Sequence, residues 1–467
     1  MRGRKHPGLG WAPVAVLFCA LVVPRVLEWG MFHDGLVYAS VSRNLAAGIG
    51  TLWAPSYTQT VEPIFREHPP LAFALQSLSF RVLGGGFFVE KLHGALLMLA
   101  SLALVAAIWS ELAAGCAGRW IPVLLLLAME QWSWALANNL LETIVTPLCL
   151  GACYAAIRLV RGGRAWAAPL ALGVLLGFLA KGPVALFPLA APLLLSPLEP
   201  GAPRTLRGAR TLTLCAAAGA LVLAGLGALA LWPAARQSLS GYLGQQVLPV
   251  LAGERGYVVR AAGRLFLALE LARVLAPIAL VAALVRWSQR RSGLPARHDR
   301  AALAMLLVGL SGSLPLSVSQ KQMSYYLLPS LPFFALGFGL LVAPRHEHAA
   351  PPQWLWGMGW ALAATVSGVF IALSIARAGE PYRDHEYAAL IAGLEDLSVV
   401  PADRVRIGVD RELWRDWALH AYLQRFLCAS LTVEGEPAIR LSRTAESAPG
   451  YALAGRFEPF CVHLARE

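Results

Sequence analysis

Three carboxylates in this chain border long apolar runs: Asp34 in FHDGLVYASVSRNLAAG, Glu67 in FREHPPLAFALQ and Glu142 in WALANNLLETIVTPL. A carboxylate held at the edge of apolar surface can orient a substrate or a metal ion. Pro69 and Pro70 follow Glu67 and His68 directly and stiffen the chain as it re-enters an apolar stretch. Cations and phenols stand in similar settings: Lys181 in FLAKGPVALFPL, Lys321 with Tyr325 and Tyr326 in QKQMSYYLLPSLPF, and Arg43 and Arg66 beside the first two acids. Such groups can meet an anionic head group at the membrane surface. Each also has a plainer reading. Asp34 caps a helix, and Glu67 faces the positive end of a helix dipole. Glu142, with Asn138 and Asn139 before it, marks a solvated helix end. Lys181 snorkels to water, and the tyrosines belong to an interfacial aromatic belt.

The elements that must position these residues are membrane helices. Of 467 residues 57% are hydrophobic and 14% charged, well below the charged share of ordinary soluble domains. So much apolar surface needs lipid as its solvent. Eleven candidate spans centre near Phe18, Leu99, Leu126, Leu150, Leu172, Ala190, Leu221, Leu275, Leu307, Phe334 and Thr365. The formal charge of +12 is gathered in short arginine clusters between spans, which excludes nucleic acid as the natural partner. With the basic start MRGRKH inside, the clusters at Arg119, at Arg158, Arg161 and Arg164, at Arg204, Arg207 and Arg210, at Arg286 through Arg300 including Arg297, and at Arg345 all fall on the inner face. The start is read as a retained first helix because no A-x-A-like cleavage site follows it.

On this count the carboxylates, both lysines and the tyrosine pair share the outer face. The expected fold is an all-α polytopic membrane protein of about eleven helices. Residues 1–376 form its transmembrane domain, with a first outer loop at 28–91, and 377–467 form a small α/β domain outside. Tyr38, Ser42 and Leu45 continue from Asp34 at helical spacing and predict a short amphipathic helix. In the tail, VRIGVD predicts a strand and RELWRDWALHAYLQRFL an amphipathic helix. Cys428 and Cys461 lie in that tail, and an extracytoplasmic location would permit a disulfide between them. The cysteines in apolar runs, Cys149 and Cys153 among them, read as small buried hydrophobes.

At HDGLVYASVSRNLAAG and EHPPL the sequence resembles the GT-C membrane glycosyltransferases, in the bacterial branch related to protein O-mannosyltransferases and lipid A aminoarabinose transferases. The matching residues are Asp34, Tyr38-Ala39 and Arg43, then Glu67-His68-Pro69-Pro70-Leu71, with Glu142, Lys181-Gly182-Pro183 and Lys321 to Pro329 further on. The family's usual lysine before the prolines is His68 here, a side chain mostly neutral at pH 7. The resemblance covers roughly residues 1–341. It implies a polyprenyl-phosphate-sugar donor, a lipid, glycan or protein acceptor, and inverting displacement at the outer face of the bacterial inner membrane, with the N-terminus cytoplasmic. Asp34 would be the general base. Lys181 and Lys321, with Arg43, Arg66, Tyr325 and Tyr326, would meet the donor phosphate. Glu67 and Glu142 would orient the acceptor or ligate a divalent cation, and His68, Tyr38 and Asn138 would position the loops. No cofactor is certain. A transporter or flippase of lipid-linked sugars is the chief alternative, but it predicts internal repeats and mid-span charges that the sequence does not display. A polysaccharide polymerase or ligase would centre on a large late outer loop, whereas here the first loop is the largest.

Overall fold

The computed structural model describes residues 8–116, 118–196, 204–254, 263–291, 298–319, 321–343, 353–399, 404–446 and 448–466. The basic start of the chain, Arg297 and Arg345 lie outside the described residues, as do the side chains of Arg204 and Arg207. Among the described residues eight helices are long and apolar enough to cross a membrane, and they contain the predicted centres Leu99, Leu150, Leu172, Leu221, Leu275, Leu307, Phe334 and Thr365. The Leu126 segment is a pair of helices, Trp120–Leu127 and Glu130–Ala137, bent by 65°. The segments around Phe18 and Ala190 are shorter apolar helices, Trp11–Leu27 and Pro183–Leu195. Pro183, Pro188 and Pro192 explain the second, since each removes a backbone donor and the chain falls into short 3-10 turns there.

The chain forms two compact units. Unit 1 takes Met1–Arg25, Gly94–Leu136 and Leu141–Leu373, and holds most of the apolar helices. Unit 2 gathers Val26–His93, Ala137–Leu140 and Ser374–Glu467, so distant stretches of sequence share one core. Met31 and Leu36 from the first loop pack there with Leu390, Leu419, Tyr422 and Val462 from the tail.

Unit 2 opens with the helix His33–Ala46, which is followed by a small hairpin of β1 (Gly50–Thr51) and β2 (Ala54–Pro55) and the helix Leu71–Leu83. Its tail carries the helices His385–Asp396 and Trp417–Leu427, and five strands: β3 (Arg406–Gly408), β4 (Ser430–Thr432), β5 (Ile439–Ser442), β6 (Tyr451–Phe457) and β7 (Phe460–Ala465). The sheet order is β4-β3-β5-β7-β6. β3 runs parallel to β4 and β5, and β7 runs antiparallel to β5 and β6. VRIGVD thus supplies β3. The amphipathic helix starts at Trp417, later than its sequence pattern, because the Asp416 side chain accepts the Leu419 N–H and caps it there. Cys428 and Cys461 are free thiols, and Cys149 and Cys153 are buried.

A buried ion pair ties the two ends of unit 2. Arg425 donates from Nε and Nη2 to the two Glu90 carboxylate oxygens at 3.1 and 2.8 Å, and from its Nη atoms to the carbonyls of Gly85 and Gly86. Both side chains are out of water, and the guanidinium lies 5.0 Å from the Phe80 and Phe426 ring centres. Glu90→Gln would leave a buried guanidinium without its counter-charge, at an expected cost of about 3–5 kcal/mol. Thermal melting of the purified protein in detergent should fall accordingly. The Glu90→Leu, Arg425→Met pair, which strands no charge, should melt above the single variant.

Candidate functional site

In unit 1 the sequence candidates Glu142, Lys181, Tyr325 and Tyr326 form one cluster. Glu142 sits in the first turn of the helix Glu142–Val160, and Lys181 is the last residue of Ala167–Lys181. Lys181 Nζ lies 2.6 Å from a Glu142 carboxylate oxygen, with the carboxylate fully buried and the lysine 8% exposed. The ammonium also faces the Tyr326 and Tyr325 rings at 5.2 and 5.8 Å from their centres. The negative faces of those rings attract it further. Both aromatic residues belong to the turn Ser324–Ser330, and Trp134 stacks on Tyr325 at 5.9 Å.

Local geometry fixes this lysine. Gly182 ends the helix at φ 101, where an L side chain is strained. The Tyr242 hydroxyl donates to the Lys181 carbonyl at 3.0 Å and lies 2.0 Å from where a Gly182 Cβ would be. Tyr242 was not a sequence candidate. Nothing in SGYLGQQ marks it, and its role depends on a fold contact 61 residues away. Lys321 sits in the turn before the tyrosines, where its backbone N–H bonds the Ser319 hydroxyl. A further polar group on an apolar helix also escaped the sequence reading. Arg273 pairs with Glu270 at 2.7 Å, and Gln131 donates to the same carboxylate at 3.2 Å.

Unit 2 holds the other candidates. Asp34 lies in the first turn of His33–Ala46, 31% exposed, with the His33 ring 2.9 Å away. Its start is pinned from below by Asn138, which accepts the Phe32 N–H at 2.7 Å. Asn139, in a left-handed conformation at φ 49, donates to the Gly35 carbonyl and accepts from Gln76 at 2.7 Å. Gly35 has to be glycine, since an added Cβ would meet the Asn138 carbonyl oxygen at 2.0 Å.

One helical turn on from Asp34, Tyr38 forms a 3.1 Å hydrogen bond with His68 Nε2. Residues i and i+4 share a helix face, so Asp34 and the Tyr38–His68 pair lie along one side of this helix. Glu67 adjoins His68. Burial pushes the Tyr57 phenol upward, and the Glu67 and Glu62 charges push it further, which places both carboxylates near that ring. Arg66 is half-buried. Arg43 is engaged otherwise than its sequence setting suggests. It donates to the carbonyls of Gln424 and Arg425, the last turn of Trp417–Leu427, and to the Asn44 side chain. It therefore caps that helix. Burial pulls the Arg43 guanidinium down to about 10, and the Arg425 charge acts in the same direction.

Among the described residues no three His, Cys, Asp or Glu side chains gather to hold a metal ion, and Glu142 is occupied by Lys181.

The fold of the chain is shared with solved structures of ArnT. ArnT from Cupriavidus metallidurans bound to undecaprenyl phosphate matches with a TM-score of 0.66 over 98% of this chain and 98% of that chain, at 16% identity. The same protein in the apo state matches with a TM-score of 0.64 over 97% and 96%, at 14% identity. No protein-family model matches the chain, and no curated protein matches it in sequence. The likeness is one of fold.

Gly182→Ala places a methyl against the Tyr242 hydroxyl and strains φ, at an expected cost of about 1–3 kcal/mol. Adding Tyr242→Ala should recover the part due to overlap. A double-mutant cycle on melting midpoints in detergent separates the two contributions.

Proposed function

We propose that this chain is a glycosyltransferase that moves a sugar from a polyprenyl-phosphate-linked donor to a hydroxyl of a lipid, glycan or protein acceptor. The proposed setting is the outer face of the inner membrane, with the N-terminus cytoplasmic. The observation that carries the reading is the buried Lys181 ammonium, fixed by Glu142, Tyr325 and Tyr326, in a fold shared with a protein that binds undecaprenyl phosphate.

In this reading the acceptor hydroxyl gives its proton to the Asp34 carboxylate while its oxygen attacks the anomeric carbon. The bond from that carbon to the phosphate oxygen breaks, and the phosphate leaves with the electron pair, which inverts the anomeric centre. Asp34 suits a base because it is partly exposed and sits on the first turn of a helix whose start is pinned by Asn138. Lys181 suits the leaving phosphate. A cation already desolvated and held in place reorganises little as charge develops. The Tyr325 and Tyr326 hydroxyls and Lys321 are further donors to that oxyanion. Glu142 holds the Lys181 side chain in place from 2.6 Å. Glu67, with Tyr38 and His68 beside it, orients the acceptor. Arg43 contributes through the helix it caps. Arg66, half-buried beside Glu67, remains a cation for the donor phosphate.

Asp34→Asn should lower transfer by about 10²–10⁴-fold with unchanged membrane insertion and melting. Turnover within about twofold of wild type would remove Asp34 from the reaction. Lys181→Met should raise the KM for donor more than that for acceptor. The function itself is tested by profiling lipids and glycans of a deletion strain, where loss of one sugar and accumulation of its lipid-linked precursor are expected. Unchanged profiles in strains with and without the gene would defeat the proposal.

A further inference from the structure

Unit 2 contains a cleft of about 530 Å³ that none of the residues assigned above lines. Its walls come from Ile49, Gly50, Thr51 and Ala54, from Ser56, Gln59, Pro63 and Ile64, and from the two arginines 404 and 406. This volume is that of a small-molecule site.

We propose that this cleft is a second ligand site, one that binds a sugar bearing an oxyanion, either a phosphate or a carboxylate. Arg404 and Arg406 are two apart on an extended segment entering β3, so their side chains leave on the same face. Ordinarily two long exposed side chains would be too mobile to make a site. Gln59 removes much of that freedom. Its side chain accepts from Arg406 Nε at 3.2 Å and donates to the Arg404 carbonyl. Its own backbone N–H is held by the Ser430 hydroxyl at 3.0 Å, and Thr60 donates to the Leu431 carbonyl. Arg406 therefore keeps its terminal nitrogens for a ligand, and the Arg404 guanidinium has no protein partner among the described residues. Among the described residues no carboxylate lines the cleft.

The opposite wall is also fixed. Gly50 sits at φ 82 with the Ala54 carbonyl oxygen 2.8 Å from where a Cβ would be, so the hairpin closes tightly there. Two guanidinium forks on one edge match the paired oxygens of a phosphate or carboxylate. Among the described residues no aromatic ring lines the walls, which disfavours a nucleobase. Ile49, Pro63 and Ile64 offer aliphatic surface to a sugar ring, and Gln59 and Thr51 offer hydrogen bonds to its hydroxyls.

The test is calorimetric titration of the full-length protein in neutral detergent with glucose 1-phosphate, glucuronate, neutral glucose and inorganic phosphate, and of the protein in nanodiscs with and without phosphatidylglycerol. Both sugar anions should bind, and neutral glucose should bind at least about tenfold more weakly. The Arg404→Ala, Arg406→Ala pair should lose about tenfold for both anions. Thr51→Trp, which fills the cleft without altering charge, should lose binding as well, and it carries the test if the arginine pair folds poorly. Equal binding of neutral glucose, or unchanged binding in Thr51→Trp, overturns the site. Inorganic phosphate binding as tightly as glucose 1-phosphate overturns the sugar. Binding seen only as a response to phosphatidylglycerol assigns the arginines to the membrane surface and overturns the proposal. None of these readouts depends on sugar transfer, so failure here leaves the proposed reaction untouched, and the reverse holds too.

Discussion

Lys181 ends an apolar helix with its ammonium almost wholly out of water, and the Glu142 carboxylate 2.6 Å away is what makes that arrangement tolerable. Paired with that carboxylate and facing two phenol rings, the lysine head has a fixed position. The backbone follows from this. Gly182 turns the chain away at once, and Tyr242 holds the last helical carbonyl so that the lysine cannot drift. Three helices and one aromatic turn are thereby committed to the placement of a single positive charge.

Unit 2 solves a related problem with hydrogen bonds to backbone. The helix that carries Asp34 is held at its start by Asn138 and Asn139 and at its far end by Arg43, which reaches the closing carbonyls of Trp417–Leu427. That second helix is anchored in turn through Arg425 and Glu90. Aromatic stacking fills the remaining space, with Trp29 on Tyr422 at 4.9 Å and on Phe426 at 5.0 Å. Tyr422 ties the first loop to the tail through Met31 and Asp384.

What the sequence revealed and what it withheld follow from how local each signal is. Eight apolar helices were legible because a span is a property of about 20 consecutive residues. The segment near Ala190 was overestimated because average hydropathy does not register three prolines spaced to break a helix. Asp34 and Tyr38 were legible as one face because they lie four apart on a helix. The pairing of Glu142 with Lys181 was not. Each residue read separately as a solvated or snorkelling end, and only tertiary contact makes them partners. Arg43 looked like a phosphate ligand because an exposed helix shows its arginines outward, and nothing local announces that the tail will supply carbonyls for it. Tyr242 and Gln59 were invisible for the same reason.

The composite core of unit 2 has a consequence for how the molecule is made. Met31 and Leu36 leave the ribosome roughly 350 to 430 residues before Leu390, Leu419 and Val462, the neighbours that will cover them. At the ordinary pace of synthesis that is a wait of tens of seconds, during which every helix in between must be inserted. The early loop thus spends its youth as an unfinished half, with apolar residues uncovered and Arg43 facing no carbonyls. Closure of this core waits for the tail, and a chain without β5 to β7 would leave the Asp34 helix without part of its packing.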